Sequence, residues 1–281
     1  MRHRDQIHEL LNVLDRERQA LLDLIQSCDD SQWAAPTPAE GWDVRDQIIH
    51  LAHFDYMAGL AFAVPEQFAA ALKKIASLEH YVDLIGPANI SRSNEDVLRW
   101  WHRTADFLTQ SARSAADGDR DSAERVPWFG GSMSPASMIT ARVMETWAHG
   151  QDVFDTFGKP HAPSAALDNI AHLGVRAFAN SFAANGKEVP DVPVRVTLTG
   201  YRGTTLEFGP EDAANTVAGT AEDFAHIVTQ RRHVDDTGIE ATGPVAREWM
   251  LIAQAFAGKP GSGRRPGQFS DERSNANGAR Q

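Results

Sequence analysis

The stretch Glu145-Thr146-Trp147-Ala148-His149-Gly150-Gln151-Asp152 holds the residues with the clearest chemistry in this chain. On a helix, Glu145, His149 and Asp152 fall at i, i+4 and i+7, one above another on a single face. Val143, Met144, Trp147, Ala148, Val153 and Phe154 around them are apolar. A carboxylate and an imidazole one turn apart can hold a divalent cation between them. Two ligands make a weak site, so a third has to come from another element, and the best candidate is His50. Spacing alone fits an ordinary exposed i, i+4 pair better than a metal site; the apolar surroundings and the upstream histidine bring the two readings level.

The chain has 11 histidines, which need sorting. His3, His8 and His161 lie near the terminus or in a turn and read as surface residues. His80 and His102 sit in predicted helices and read as core or surface. His172 is ambiguous, with packing at a domain junction where it faces a substrate pocket as its functional reading. His50 and His53 follow Gly41-Trp42-Asp43 on one predicted helix. His50 shares its face with Asp46, Phe54 and Met57, where an imidazole costs desolvation unless it is paired or ligated. His53 points roughly 60° away on the helical wheel, so only one of the two is expected to reach a metal.

These residues must be positioned by helices. Residues 4–28 carry apolar positions at Ile7, Leu10, Leu11, Leu14, Leu21, Leu22 and Ile25, the pattern of an amphipathic helix. A loop is expected over 31–41, with Pro36, Pro38 and Gly41 as breakers. A second helix runs over 43–64, capped by Asp43 and ended by Pro65. Residues 66–85 read as helical, broken by Gly86-Pro87. Asn94 is the expected cap of a helix through 116, and 117–121 is a solvated turn. The segment 127–135 reads as a loop with two large aromatics, Trp128 and Phe129. Ser134-Pro135 starts the helix that holds Glu145 and His149 and ends near 157. With no strand signal in this half, the prediction is a helical bundle over 1–160.

After one more helix over 164–184, the pattern changes to the alternation of strands. Strands are expected over 192–199, 204–208, 214–217 and 238–242, with helices over 221–231 and 244–257. Thr220 caps the first of these helices. This is a small α+β domain over 161–258. The tail, 259–281, is Gly-, Arg- and Ser-rich without an apolar face and is expected to be disordered.

Composition narrows the partners. The formal charge is −11, and an acidic chain without a basic stripe argues against nucleic acid or anionic lipid as a partner. The single cysteine, Cys28, excludes a disulfide framework and a Cys-rich zinc site, and it reads as a structural thiol. The polar start and the lack of a long apolar run predict no membrane span and a cytoplasmic location. A small-molecule substrate is the expected partner.

Gly41-Trp42, Asp46 and His50-Leu51-Ala52 on one helix, with Glu145-x-x-x-His149-x-x-Asp152 on another, resemble the mycothiol-dependent maleylpyruvate isomerase family. This family falls within the DinB-like metal-binding four-helix bundles. The stretch 194–256 resembles the sterol-carrier-like α+β domain that follows the bundle in these proteins. Within the family the chain looks nearest to an uncharacterised metal-binding branch. The resemblance implies that His50, Glu145 and His149 ligate one divalent metal, with zinc first in line. Asp152 is then either a fourth ligand or the acceptor that orients His149. Two histidines and a carboxylate leave a coordination position open, the mark of a catalytic site. In the isomerase reading that position takes the sulfur of a low-molecular-weight thiol such as mycothiol. The expected activity is thiol-dependent isomerisation or transfer on a small acidic or unsaturated substrate. The alternatives are a metal-dependent hydrolase or lyase using metal-activated water, and a non-catalytic protein that binds metal or a lipid-like ligand. Arg231 and Arg232 are candidates for a substrate carboxylate, or plain helix-end cations. His53 and Trp42 are candidates for the substrate or cofactor pocket, and Trp42, Trp128 and Phe129 could equally be core aromatics.

Overall fold

Asp43 starts the helix that carries His50. Its carboxylate accepts the Asp46 amide at 2.8 Å, and the Asp46 side chain reaches back to the Asp43 amide, so two otherwise unpaired donors are satisfied. The computed structural model describes residues 3–75, 77–118 and 125–269. The chain divides into two units, Met1–His161 and Ala162–Gln281.

In the first unit the helices are α1 (His3–Ile25), α2 (Asp30–Trp33), α3 (Val44–Ala63), α4 (Pro65–Leu72), α5 (Leu78–Ala88), α6 (Asn94–Asp117) and α7 (Pro135–Thr156). The four long ones, α1, α3, α6 and α7, form the predicted bundle. The α3 helix packs on α6 and α7, and α1 packs on α7 and α6. Most of α3 is buried, and Ile48, Leu51, Ala52 and Ala58 are fully so. Among the described residues, no helix is long and apolar enough to cross a membrane.

Several local expectations are corrected. The loop over 31–41 begins with a helical turn, α2, because Asp29 and Gln32 form a capping box and Trp33 is buried beneath it. Pro65 does not merely end α3. It opens α4 as its first residue, where the missing amide proton has no helical partner to lose. The helix expected over 66–85 is two helices, the second restarted by Ser77, whose hydroxyl accepts the His80 amide. Gly86-Pro87 lies inside the last turn of α5 instead of breaking it. A Cβ on Gly86 would stand 2.7 Å from the Asp46 carboxylate, so glycine permits this close approach. The cap of α6 is Ser93, one residue before the expected Asn94, whose side chain joins Arg45 and Asp30. The expected loop at 127–135 holds a short hairpin, β1 (Val126–Trp128) and β2 (Gly131–Met133). Its Trp128 ring stacks on Phe68 at 5.7 Å. The solvated turn expected over 117–121 lies largely outside the described residues.

The second unit contains α8 (Ala166–Arg176), α9 (Phe178–Ala184), β3 (Val194–Thr199), β4 (Thr205–Phe208), β5 (Asn215–Thr220), α10 (Ala221–Val228), β6 (Glu240–Thr242) and α11 (Pro244–Ile252). The single helix expected over 164–184 turns at Ala177, and Phe178 then meets Trp249 edge to face at 5.1 Å. The sheet order is β4-β3-β5-β6, with β3 and β5 parallel and the outer pairs antiparallel. Val196 pairs with Phe208 and Val217, and Val196, Leu198 and Val217 are buried, as are Phe224 and Trp249. Thr220 caps α10 as expected. Residues 259–269, the described start of that expected tail, make contacts with the rest of the unit. Asp236 accepts the Gly267 and Phe269 amides at 2.8 and 3.4 Å, and the Phe269 ring lies 3.8 Å from the Arg232 guanidinium. Residues 270–281 lie outside the described residues.

Candidate metal centre

Helix α3 supplies His50, and α7 supplies Glu145 and His149 one turn apart. The three ligand atoms lie within 4.8 Å of one another. The Glu145 Oε2 atom is 3.4 Å from His50 Nε2 and 3.3 Å from His149 Nε2, and the two imidazole centroids are 4.3 Å apart. A tetrahedral zinc with bonds of about 2.0–2.1 Å requires neighbouring ligand atoms about 3.3–3.4 Å apart. The donor set fits such an ion in chemistry, and the two edges that meet at Glu145 match that spacing. Burial pushes the Glu145 carboxyl up, but the His149 and His50 imidazoles outweigh it and hold the group well below its ordinary range. Glu145 is thus an ionised donor.

Aromatic rings wall the centre. Trp42 lies parallel to His149 at 5.7 Å and tilts over His50 at 5.3 Å, while Phe54 is 4.6 Å from His50. Asp152 is fully buried and is not in the ligand cluster, and its carbonyl accepts the Thr156 hydroxyl. The acceptor found at His149 Nδ1 is Gln47 Oε1, at 2.5 Å. Sequence reading passed over Gln47. The signal available was a polar side chain between Val44, Ile48 and Leu51, which must find partners if it is buried.

His53 stands apart from the ligand cluster. Its Nε2 is 2.6 Å from the Tyr81 hydroxyl. Burial, helped by His50 and Arg142, lowers its pKa to about 4, so it is neutral at physiological pH. Burial also raises the Tyr81 phenol. One turn before Glu145, Arg142 Nε donates to the fully buried Asp55 at 3.0 Å, and Arg18 donates to the other oxygen at 2.9 Å. No spacing rule pointed to this charge cluster. His161 is not a surface residue. It is sandwiched between Trp147 and Phe154, at 5.6 and 4.3 Å, with Nε2 3.1 Å from Glu17 and Nδ1 3.1 Å from Gln151. Glu17 supplies the charge and the rings supply the packing that draw it inward.

Arg231, Arg232 and His172 belong to the second unit. Arg231 donates to the Thr229 carbonyl, Arg232 is buried beneath Phe269, and His172 is exposed with its ring edge-on to Phe208 at 4.8 Å. Trp128 and Phe129 pack on Phe68 and Phe54, and of these three expected aromatics Trp42 is the one that meets His50 and His149.

Residues 14–154 match the family model for the mycothiol maleylpyruvate isomerase N-terminal domain. Uncharacterised proteins from two strains of Mycobacterium tuberculosis are 42% identical over 234 residues, which cover 83% of this chain and 89% of theirs. Crystal structures of the mycothiol-dependent maleylpyruvate isomerase, and of a histidine-to-alanine mutant of it, align with a TM-score of 0.58. The alignment covers 84% of this chain and 92% of theirs at 14% identity, a likeness of fold.

Proposed function

The chain belongs to the mycothiol maleylpyruvate isomerase family, and on that premise we propose that it is a divalent-metal-dependent, thiol-using isomerase or transferase. The observation that carries this reading is the convergence of two imidazoles on one ionised carboxylate, each at tetrahedral-edge spacing from it. His50, Glu145 and His149 would hold the ion. When bound, zinc would favour the thiolate form of a thiol such as mycothiol at the open position. Two neutral ligands and one anionic ligand leave a doubly charged cation with net positive charge, which suits an anionic sulfur. The proposed substrate is a small acidic, unsaturated molecule such as maleylpyruvate. The chemistry the thiol would supply is reversible addition across the conjugated double bond, with the π electron pair held on the conjugated carbonyl and returned as the same thiolate leaves, so that cis–trans isomerisation would follow with no net redox change. Trp42 and Phe54 give the site an apolar wall that limits water at the reacting carbon.

The test pairs metal analysis with turnover. The purified protein is expected to carry about one equivalent of metal, and His50→Ala and His149→Ala to lose it. Wild type is then expected to convert maleylpyruvate to its trans isomer only when mycothiol is added. Absence of stoichiometric metal, or its retention in both variants, would overturn the metal centre. Metal without thiol-dependent turnover would overturn the isomerase reading.

A further inference from the structure

We propose that Gln47 is the positioning residue of the metal centre, and that the Thr37–Trp42 loop dictates which atom of His149 can bind metal. The proposal rests on the metal reading above and extends it to residues outside the ligand set.

The argument follows one chain of hydrogen bonds. The Thr37 hydroxyl donates its only proton to the Trp42 carbonyl, 2.9 Å away. A carbonyl only accepts, so the Thr37 oxygen can offer its neighbour nothing but a lone pair. That neighbour is the Gln47 side chain, at 2.9 Å, which must therefore turn its NH2 group toward Thr37. The Gln47 carbonyl oxygen is then left facing His149 Nδ1 at 2.5 Å. This oxygen also only accepts, so Nδ1 carries the proton of the neutral imidazole. The bare nitrogen is Nε2, the atom beside Glu145 Oε2 in the ligand cluster.

The ends of this chain are fixed. Gln47 is fully buried in the second turn of α3. The loop is closed on itself by the Thr37 amide, which donates to the same Trp42 carbonyl at 2.8 Å, and by the bridge between Pro36 and Asp43. Gly41, at φ 79°, makes the reversal that brings Trp42 back. One loop thus lays the Trp42 ring on His149 and sets its tautomer. The acceptor is neutral. A carboxylate there would make the imidazole a stronger donor and drain positive charge from the ion, whereas an amide orients it and leaves that charge for the thiolate.

Two measurements test this. In metal-free protein, at a pH where imidazole is neutral, 15N spectra are expected to show His149 as the Nδ1–H tautomer, and as a mixture in Gln47→Leu. Zinc affinity, read by chelator competition, is expected to fall about 10–100-fold in Gln47→Leu. A smaller fall is expected in Thr37→Val, and affinity within a few-fold of wild type in Gln47→Glu. Thr37→Val keeps the test open should Gln47→Leu fail to fold. A wild-type His149 protonated on Nε2, or Gln47→Leu and Thr37→Val that bind zinc like wild type, would overturn the proposal. Wild type that takes up no zinc, with the Nδ1–H tautomer observed, would overturn the metal reading and leave the hydrogen-bond chain standing as a purely structural one.

Discussion

A carboxylate with no exposed surface is stable only where cations answer it, and Asp55 has two, Arg18 and Arg142. Asp55→Ala would leave both guanidinium groups buried without that charge. The expected loss is about 3–5 kcal/mol, read from the urea midpoint, and a loss under 1 kcal/mol would show that the cluster is already hydrated. His53 makes a pH prediction. Its folded pKa is about 4, depressed by burial and by His50 and Arg142, against an ordinary 6.5. The unfolded chain therefore takes the proton first. The stability tied to neutral His53 is complete above pH 6.5 and is lost as pH falls toward 4. In the metal-free protein, His53→Gln is expected to flatten that part of the thermal-unfolding profile. Equal slopes for the two proteins would show that the imidazole titrates normally.

Helix α7 brings two of the three proposed ligands, and its start is set by local chemistry. The Ser134 hydroxyl accepts the Ser137 amide at 3.1 Å, and Pro135 occupies the first helical position. Ser134→Ala is expected to cost about 1 kcal/mol while keeping one equivalent of metal, because Glu145 and His149 lie turns away from the cap. Lost metal would show that the whole helix shifts. Helices α3 and α6 meet at Gly59, where an added Cβ would stand 2.4 Å from the Phe107 ring by straight construction. Gly59→Ala is expected to cost about 1–3 kcal/mol, and an unchanged unfolding midpoint would show that Phe107 swings aside freely. Asp43, Ser134 and Thr220 were legible as caps because a cap needs only its own side chain and the next turn. The hairpin at 126–133 was not, since three-residue strands leave no alternation to read.

At the scale of the molecule, metal bound as proposed would couple to folding. All three proposed ligands lie in the first unit, on helices far apart in sequence, so an unfolded chain cannot present them together. Free zinc at 100 times its dissociation constant is expected to stabilise that unit by about 2.7 kcal/mol. The unfolding temperature should rise with zinc, fall back with a chelator, and stay unmoved in His149→Ala. A zinc response that persists in His149→Ala would place the binding elsewhere.

The sequence alone determined the bundle, the α+β unit after it, and the i, i+4 spacing of Glu145 and His149, while the set that adds His50 was implied by the family resemblance. Helical periodicity, strand alternation and i, i+4 geometry are local and survive without neighbours. The first residues of α3, α7 and α10 belong with these, for the same reason. The tertiary structure decided which side chains answer others across the fold. It put Gln47 on His149, paired Asp55 with two arginines, drew His161 between two rings and brought residues 259–269 onto Arg232 and Asp236. Each of these is a desolvated polar group satisfied by a partner distant in sequence. Spacing along one element cannot encode such a partner, because packing between elements chooses it.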